Sequence, residues 1–125
     1  MTGFAEIDDL VEAYYQGMHA GDGDLLRRAF DPDARVRGFF AGRFLDSPIE
    51  GFIGAMTSGP SPASQGEARH LEILQVRVDG DIATAVVLDT VRGATFTDHL
   101  ALVRSEGGWR IVGKTYTTPT ALPGR

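Results

Sequence analysis

Near the start of the chain, apolar residues fall at Ile7, Leu10, Val11, Tyr14 and Met18. That is the i, i+3, i+4, i+7 spacing of a helix buried on one face. It predicts a helix over Phe4–Ala20, with Asp8, Asp9 and Glu12 outside the stripe and Gly21 placed to end it. A short second helix is predicted over Leu25–Phe30, with Asp22 or Asp24 as its N-cap and Asp31-Pro32-Asp33 breaking it. Ala34–Phe40 then alternates as a strand does. Arg35, Arg37 and Phe39 share one face, and Val36, Gly38 and Phe40 the other. Gly42 marks a turn, and Arg43–Leu45 reads as a short strand. Ser47-Pro48-Ile49-Glu50 has the spacing of a capping box with proline at N1. It predicts a third helix from Pro48 to about Met56 that buries Ile49, Phe52, Ile53 and Met56.

The stretch TSGPSPASQG, residues 57–66, is rich in proline, glycine and serine and reads as a mobile surface loop. After it the period changes to two. Ala68–Val78 and Ile82–Val91 are β-type runs joined by Asp79-Gly80-Asp81, a tight hairpin signal. On the second run Ala83, Ala85, Val87 and Asp89 share a face. The two small alanines mark a place where a helix lies close, which would put Asp89 near the helix-covered side. A second hairpin is centred on Glu106-Gly107-Gly108. Simple alternation gives it one face with Asp98, Leu100, Leu102, Trp109, Ile111 and Gly113. The other face carries His99, Ala101, Val103, Arg110, Val112, Lys114 and Tyr116. The tail after Tyr116 reads as irregular. Three helices with an early strand among them, followed by four long strands, make an α+β chain with its helices on one face of a curved antiparallel sheet.

Composition narrows the partners. At 125 residues the chain has room for one domain, 1–125, with a single core. A net charge of -5 argues against a nucleic-acid backbone or an anionic membrane as partner. With no cysteine there can be no disulfide, thiolate metal site or thiol nucleophile. The acidic N-terminus lacks the basic and apolar regions of a signal peptide, and no run is apolar enough to span a bilayer. The expected location is cytoplasmic. No metal site is expected either, because His19, His70 and His99 are scattered and form no ligand motif.

Particular residues add a resemblance. Tyr14 with Gly17 and Gly21-Asp22 is followed by Phe30-Asp31-Pro32-Asp33-Ala34. Later come Ala83 with Ala85, Phe96 with Asp98 and Leu100, and Trp109-Arg110-Ile111-Val112 with Lys114. Spread over nearly the whole chain, these resemble the nuclear transport factor 2-like superfamily. Within it they resemble the "putative lumazine-binding" branch, which is grouped with SnoaL-like proteins. The resemblance implies a cystatin-like cone, with three N-terminal helices packed on the concave face of the sheet. It also implies a homodimer through the sheet's outer face, where His99, Ala101, Val103, Val112 and Tyr116 would suit an interface. The superfamily includes isomerases, cyclases, dehydratases and non-catalytic modules, so the fold by itself assigns no activity.

One chemical feature stands out. Asp98 ends an otherwise apolar strand face, where a carboxylate must be paired or hold a proton. Two functions follow. In the first, a small organic molecule occupies an apolar pocket and is isomerised, cyclised or dehydrated without a cofactor. Asp98 would be the acid or base and Tyr14 its hydrogen-bonding partner. Phe39, Phe52, Met56 and Trp109 would form the apolar wall, with Asp89 and Lys114 as further ligand-binding candidates. Lys114 would meet an acidic ligand or pair with an acid across the dimer. In the second, the chain is a non-catalytic ligand-binding or dimerisation module, and Tyr14 and Asp98 merely satisfy each other in the core.

Overall fold

The structure is a computed structural model and describes residues 3–118. The tail expected to be irregular lies outside the described residues from 119 onward. Three helices, α1 (Gly3–Ala20), α2 (Gly23–Ala29) and α3 (Ile49–Thr57), accompany six strands. The strands are β1 (Phe30–Phe40), β2 (Arg43–Pro48), β3 (Leu71–Asp79), β4 (Ile82–Val91), β5 (Ala94–Ser105) and β6 (Gly108–Thr117). They form one curved, unclosed sheet in the order β2-β1-β6-β5-β4-β3. All neighbours are antiparallel except β1 and β6, which run parallel, so the sheet is mixed where antiparallel pairing was expected throughout.

The apolar stripe of α1 lies against the sheet as its spacing predicts. Ile7, Val11, Tyr14 and Met18 are buried with Ala83, Ala85 and Val87 of β4, Leu100 and Leu102 of β5, and Trp109 and Ile111 of β6. Tyr15, beside the stripe, is equally buried. Its hydroxyl donates to the Thr90 carbonyl (3.0 Å) and accepts from the His70 amide (3.0 Å), which ties α1 to the end of β4. Asp22 caps α2, accepting from the Leu25 amide at 3.1 Å.

Three local expectations fail for identifiable reasons. First, β1 begins at Phe30 rather than Ala34, because buried Phe30 already pairs with Ile111. Asp31-Pro32-Asp33 is an irregularity inside the strand, with the Asp33 amide bonded to Asp31 Oδ2 (2.9 Å). Second, the capping box does not form. Ser47 belongs to β2, opposite Val36, and its hydroxyl donates to the Pro48 carbonyl (2.8 Å), while Glu50 is drawn to the Arg27 guanidinium (3.0 Å). Third, the loop after α3, largely exposed as expected, is anchored where it begins. The Arg92 guanidinium donates to the carbonyls of Ala55, Met56 and Ser58 at 2.9–3.2 Å, satisfying acceptors that the helix end leaves open. Glu67 in turn accepts from the amides of Arg92 and Gly93 in the β4–β5 turn.

Candidate functional site

A β-bulge decides what the inner face of β6 presents. Opposite β5, Leu102 pairs with Ile111 and Ala101 pairs with Gly113, so Val112 is left without a partner. Beyond it the alternation reverses. Lys114 and Tyr116 therefore turn inward, on the side of Asp98, instead of outward as simple alternation has it. Lys114 is 7% exposed, and Tyr116 is half-buried. Tyr116 therefore leaves the outer-face set. His99, Ala101 and Val103 remain exposed there, and Val112 is half-buried. A glycine within a strand is a known mark of a bulge, and Gly113 carried that signal.

Inside, Asp98 is fully buried and accepts from the Tyr14 hydroxyl at 2.7 Å. Burial, with Asp98 and Asp89 nearby, pushes the Tyr14 hydroxyl well above its usual range, so it remains a donor. Asp98 stands opposite Val87 on β4, and Asp89 stands opposite Phe96 on β5. The two carboxyls are thus diagonal neighbours on one face. Asp89 Oδ2 and Asp98 Oδ1 are both buried and have no hydrogen-bond partner. Two such carboxyls side by side are satisfied when they share a single proton. Burial first, and then the neighbouring Asp98 carboxyl, push the Asp89 carboxyl up to about 9 against the opposing pull of the Lys114 charge. Asp98 thus has the Tyr14 hydroxyl as its donor and the Asp89 carboxyl as its neighbour on the sheet.

Asp89 also borders a cavity of about 460 Å³ enclosed between the sheet and α3. Phe52 and Met56 of α3 form one wall, and Val36, Phe40, Phe96 and Tyr116 form another. Phe96 packs edge-on against Tyr116 (5.7 Å between ring centres) and is stacked with Phe40 (6.0 Å). Exposed Leu45, Asp46, Gly51 and Arg92 make the rim. Besides Asp89, the polar side chains of the interior are Tyr116, Lys114 and half-buried Ser47. Burial, and after it the Asp98 charge, raise the Tyr116 pKa, keeping the phenol protonated. The Lys114 nitrogen lies 4.5 Å from the centre of the Phe52 ring, 5.0 Å from Tyr14 and 5.2 Å from Tyr116.

The predicted site residues are thus divided. Phe52, Met56, Asp89 and Lys114 line the cavity. Asp98 and Tyr14 do not line it and lie behind it as a hydrogen-bonded pair, next to the lining residues Asp89, Lys114 and Tyr116. Phe39 does not line it. This residue shares the outer face with Arg35 and Arg37, is 47% exposed and packs on Phe44, and its neighbour Phe40 turns inward. Trp109 does not line it either. It lies one residue beyond the start of β6, buried at the hairpin end with the Arg104 guanidinium 5.9 Å from its ring centre. Tyr116, Phe40 and Phe96 were not anticipated as wall residues. The inward faces of β1 and β5 already held Phe40 and Phe96, and Tyr116 required the bulge. His19 is also buried, stacked on Tyr15 and donating to the Glu67 carbonyl (2.8 Å), so it acts as a brace and not as part of the cavity. Among the described residues, no group of three or more histidines, aspartates and glutamates is placed to hold a metal ion. No helix among them is long and apolar enough to cross a membrane.

A curved sheet sheltering three helices, with a largely apolar cavity beside α3, defines a nuclear transport factor 2-like protein. Residues 2–117 match the family described as "Putative lumazine-binding", and the chain belongs to it. A nuclear transport factor 2-like protein of unknown function from Silicibacter pomeroyi DSS-3 is 33% identical, with a TM-score of 0.83 over 93% of this chain and 98% of its own. A protein from Novosphingobium aromaticivorans with a cystatin-like fold is 19% identical, with a TM-score of 0.68 over 96% of this chain and 84% of its own. That second likeness concerns the fold alone. In sequence, the chain is 24% identical over 103 residues to aldolase FrzH of Cladobotryum sp, covering 82% of this chain and 81% of that one.

Proposed function

We propose that the cavity binds a small, largely apolar organic molecule bearing a carbonyl group and catalyses proton transfer next to that carbonyl, as an isomerase, cyclase, dehydratase or aldol-type enzyme does. The observation that carries this reading is Asp89, a carboxyl held protonated at neutral pH on the wall of an apolar cavity. Such a group donates a hydrogen bond to an oxygen that becomes an enolate, and it does so in surroundings of low dielectric. The α-proton would go to the Asp98 carboxylate beside Asp89, which the Tyr14 hydroxyl holds in place, so that one proton is given to oxygen and one is taken from carbon. Tyr116 would supply a second donor from the same face of the sheet. The similarity to a protein named an aldolase is consistent with carbonyl chemistry.

The test is exchange of α-protons for deuterium in simple ketones, followed by proton NMR. We expect exchange above the buffer rate, reduced about 100-fold in D89N. Because Asp89 acts in its protonated form, the rate should hold through neutral pH and fall as the pH rises past about 9. Exchange unchanged by D89N would remove the carboxyl from the chemistry.

One observation favours a second reading, a non-catalytic ligand-binding or dimerisation module. The Tyr14–Asp98 pair lies behind the cavity and does not line it, as a purely structural pair would. On that reading ligands would stabilise the fold without any exchange of their protons. The outer face around His99, Ala101 and Val103 would serve as the surface for a second copy of the chain, which light scattering decides.

A further inference from the structure

Lys114 is the only lysine in the chain, and every other residue among its 12 lysines and arginines is an arginine. The arginines at the surface are engaged with carboxylates in ways the lysine is not. Arg27, Arg35, Arg37, Arg69, Arg77 and Arg104 all form ion pairs. Among the described residues Lys114 forms none, and its nitrogen has no hydrogen-bond partner there. Instead it is buried, borders the cavity and is surrounded by the rings of Phe52, Tyr14 and Tyr116. A bulge in β6 is what brings it there. An ammonium is a poor choice for filling apolar space, and an arginine cannot lose its proton to become a nucleophile. A primary amine at a cavity wall is the basic side chain whose chemistry includes attack on a carbonyl.

We infer that Lys114 is an amine nucleophile that condenses with an aldehyde or ketone in the cavity to form a Schiff base. The inference rests on reading the cavity as a site for carbonyl compounds. In its neutral form the amine adds to the carbonyl carbon, the new C–N bond forming as the C=O π pair moves to oxygen. Asp89, on the same cavity wall, gives its proton to that oxygen and regains one from nitrogen. The carbinolamine then expels the oxygen as water, its second hydrogen also coming from nitrogen, and C=N remains. The net change is carbonyl plus amine to imine plus water, with Asp89 as it began. The apolar walls limit the water available to reverse the step.

The single lysine makes the test clean. The protein would be incubated at neutral pH with aromatic aldehydes, from benzaldehyde to naphthaldehyde, and sodium cyanoborohydride, which reduces any imine by hydride transfer. Peptide mass spectrometry would locate the resulting secondary amine, with the α-amino group as internal reference. The same treatment of R77K, at a site whose side chain is 73% exposed and remote from the cavity, gives the rate for an ordinary surface lysine. Occupancy would be followed separately, by saturation-transfer NMR of the aldehyde without reductant. We expect Lys114 to be alkylated about tenfold faster or more than the lysine introduced by R77K. Aldehyde binding with no faster alkylation of Lys114 would overturn the inference while leaving the cavity reading intact. Absence of both binding and alkylation would overturn the two together.

Discussion

The inner face of β4, β5 and β6 has two ends built on opposite plans. Toward the β5–β6 turn it carries Ala83, Ala85, Leu100, Leu102, Trp109 and Ile111, all buried and none charged. Toward the other end the same three strands carry Asp89, Asp98, Lys114 and Tyr116, beside a cavity. The division falls at Val112, the unpaired residue of the bulge. On the closed side, uninterrupted alternation lets apolar side chains interdigitate, and burial alone supplies the stabilisation. On the open side, reversed alternation brings a lysine and a tyrosine inward, and stability depends on polar groups satisfying one another. A fold that must hold a binding site can thus use one strand for both purposes, provided the register changes partway along it.

The comparison breaks most severely at Asp98. It is the buried acceptor of the Tyr14 hydroxyl, so D98A leaves that hydroxyl buried without a partner, removes the neighbour of the Asp89 carboxyl and opens a void as well. We expect a loss of roughly 2–5 kcal/mol in urea unfolding. A loss below about 1 kcal/mol would mean that the polar network is incidental to stability and that the two ends do not differ as described.

A smaller effect is expected at Gly38, where the strand neighbouring β6 meets the reversed segment. A Cβ there would run into the backbone oxygen of Tyr116 and into its ring, 2.5 Å from Cδ2 and 2.6 Å from Cγ. Gly38 thus leaves the space in which Tyr116 lies against the sheet and faces the cavity. G38A should cost about 1–3 kcal/mol through overpacking. It should also displace the Tyr116 ring, which nuclear Overhauser contacts between Tyr116 and Phe96 would report. Retention of those contacts with unchanged stability would show that Tyr116 is held by something other than this close approach.

The closed end was legible in the sequence, and the open end only partly so. The stripe Ile7, Val11, Tyr14 and Met18 and the row Asp98, Leu100 and Leu102 follow directly from helical and strand periods, and both lie where those periods put them. Asp89 was placed on the helix-covered side from the small alanines before it, and it is there. Lys114 and Tyr116 were misplaced because a one-residue slip moves every later side chain to the other face. Phe39 was preferred to Phe40 as a wall residue although Phe40 shared a face with Val36 and Gly38, which are buried. The capping-box pattern at Ser47 misled for another reason. A local motif competes with strand pairing and with a charged partner, and neither competitor is visible within four residues of sequence.

The finest distinction concerns what encodes the bulge. Gly113 is its one sequence mark, yet it is not a glycine by conformational need. No positive φ is found at this residue, and a Cβ there would meet nothing within 4 Å. What holds the reversed alternation is the conflict between its flanks. On one side, Trp109 and Ile111 must be buried under α1. On the other, Tyr116 lies over Gly38, and Lys114 lies among three rings. Both sets can point inward only if one residue between them is left out of the pairing. G113A should therefore leave the bulge intact and change stability by no more than about 0.5 kcal/mol, the ordinary range for a substitution that touches nothing. Any shift should be toward greater stability, since alanine loses less backbone freedom on folding than glycine. Urea unfolding gives the number, and amide chemical shifts along β6 show whether the register holds. A loss above about 1 kcal/mol, or shifts spreading from Ala101 to Tyr116, would place the encoding in the glycine instead of in the packing on either side of it.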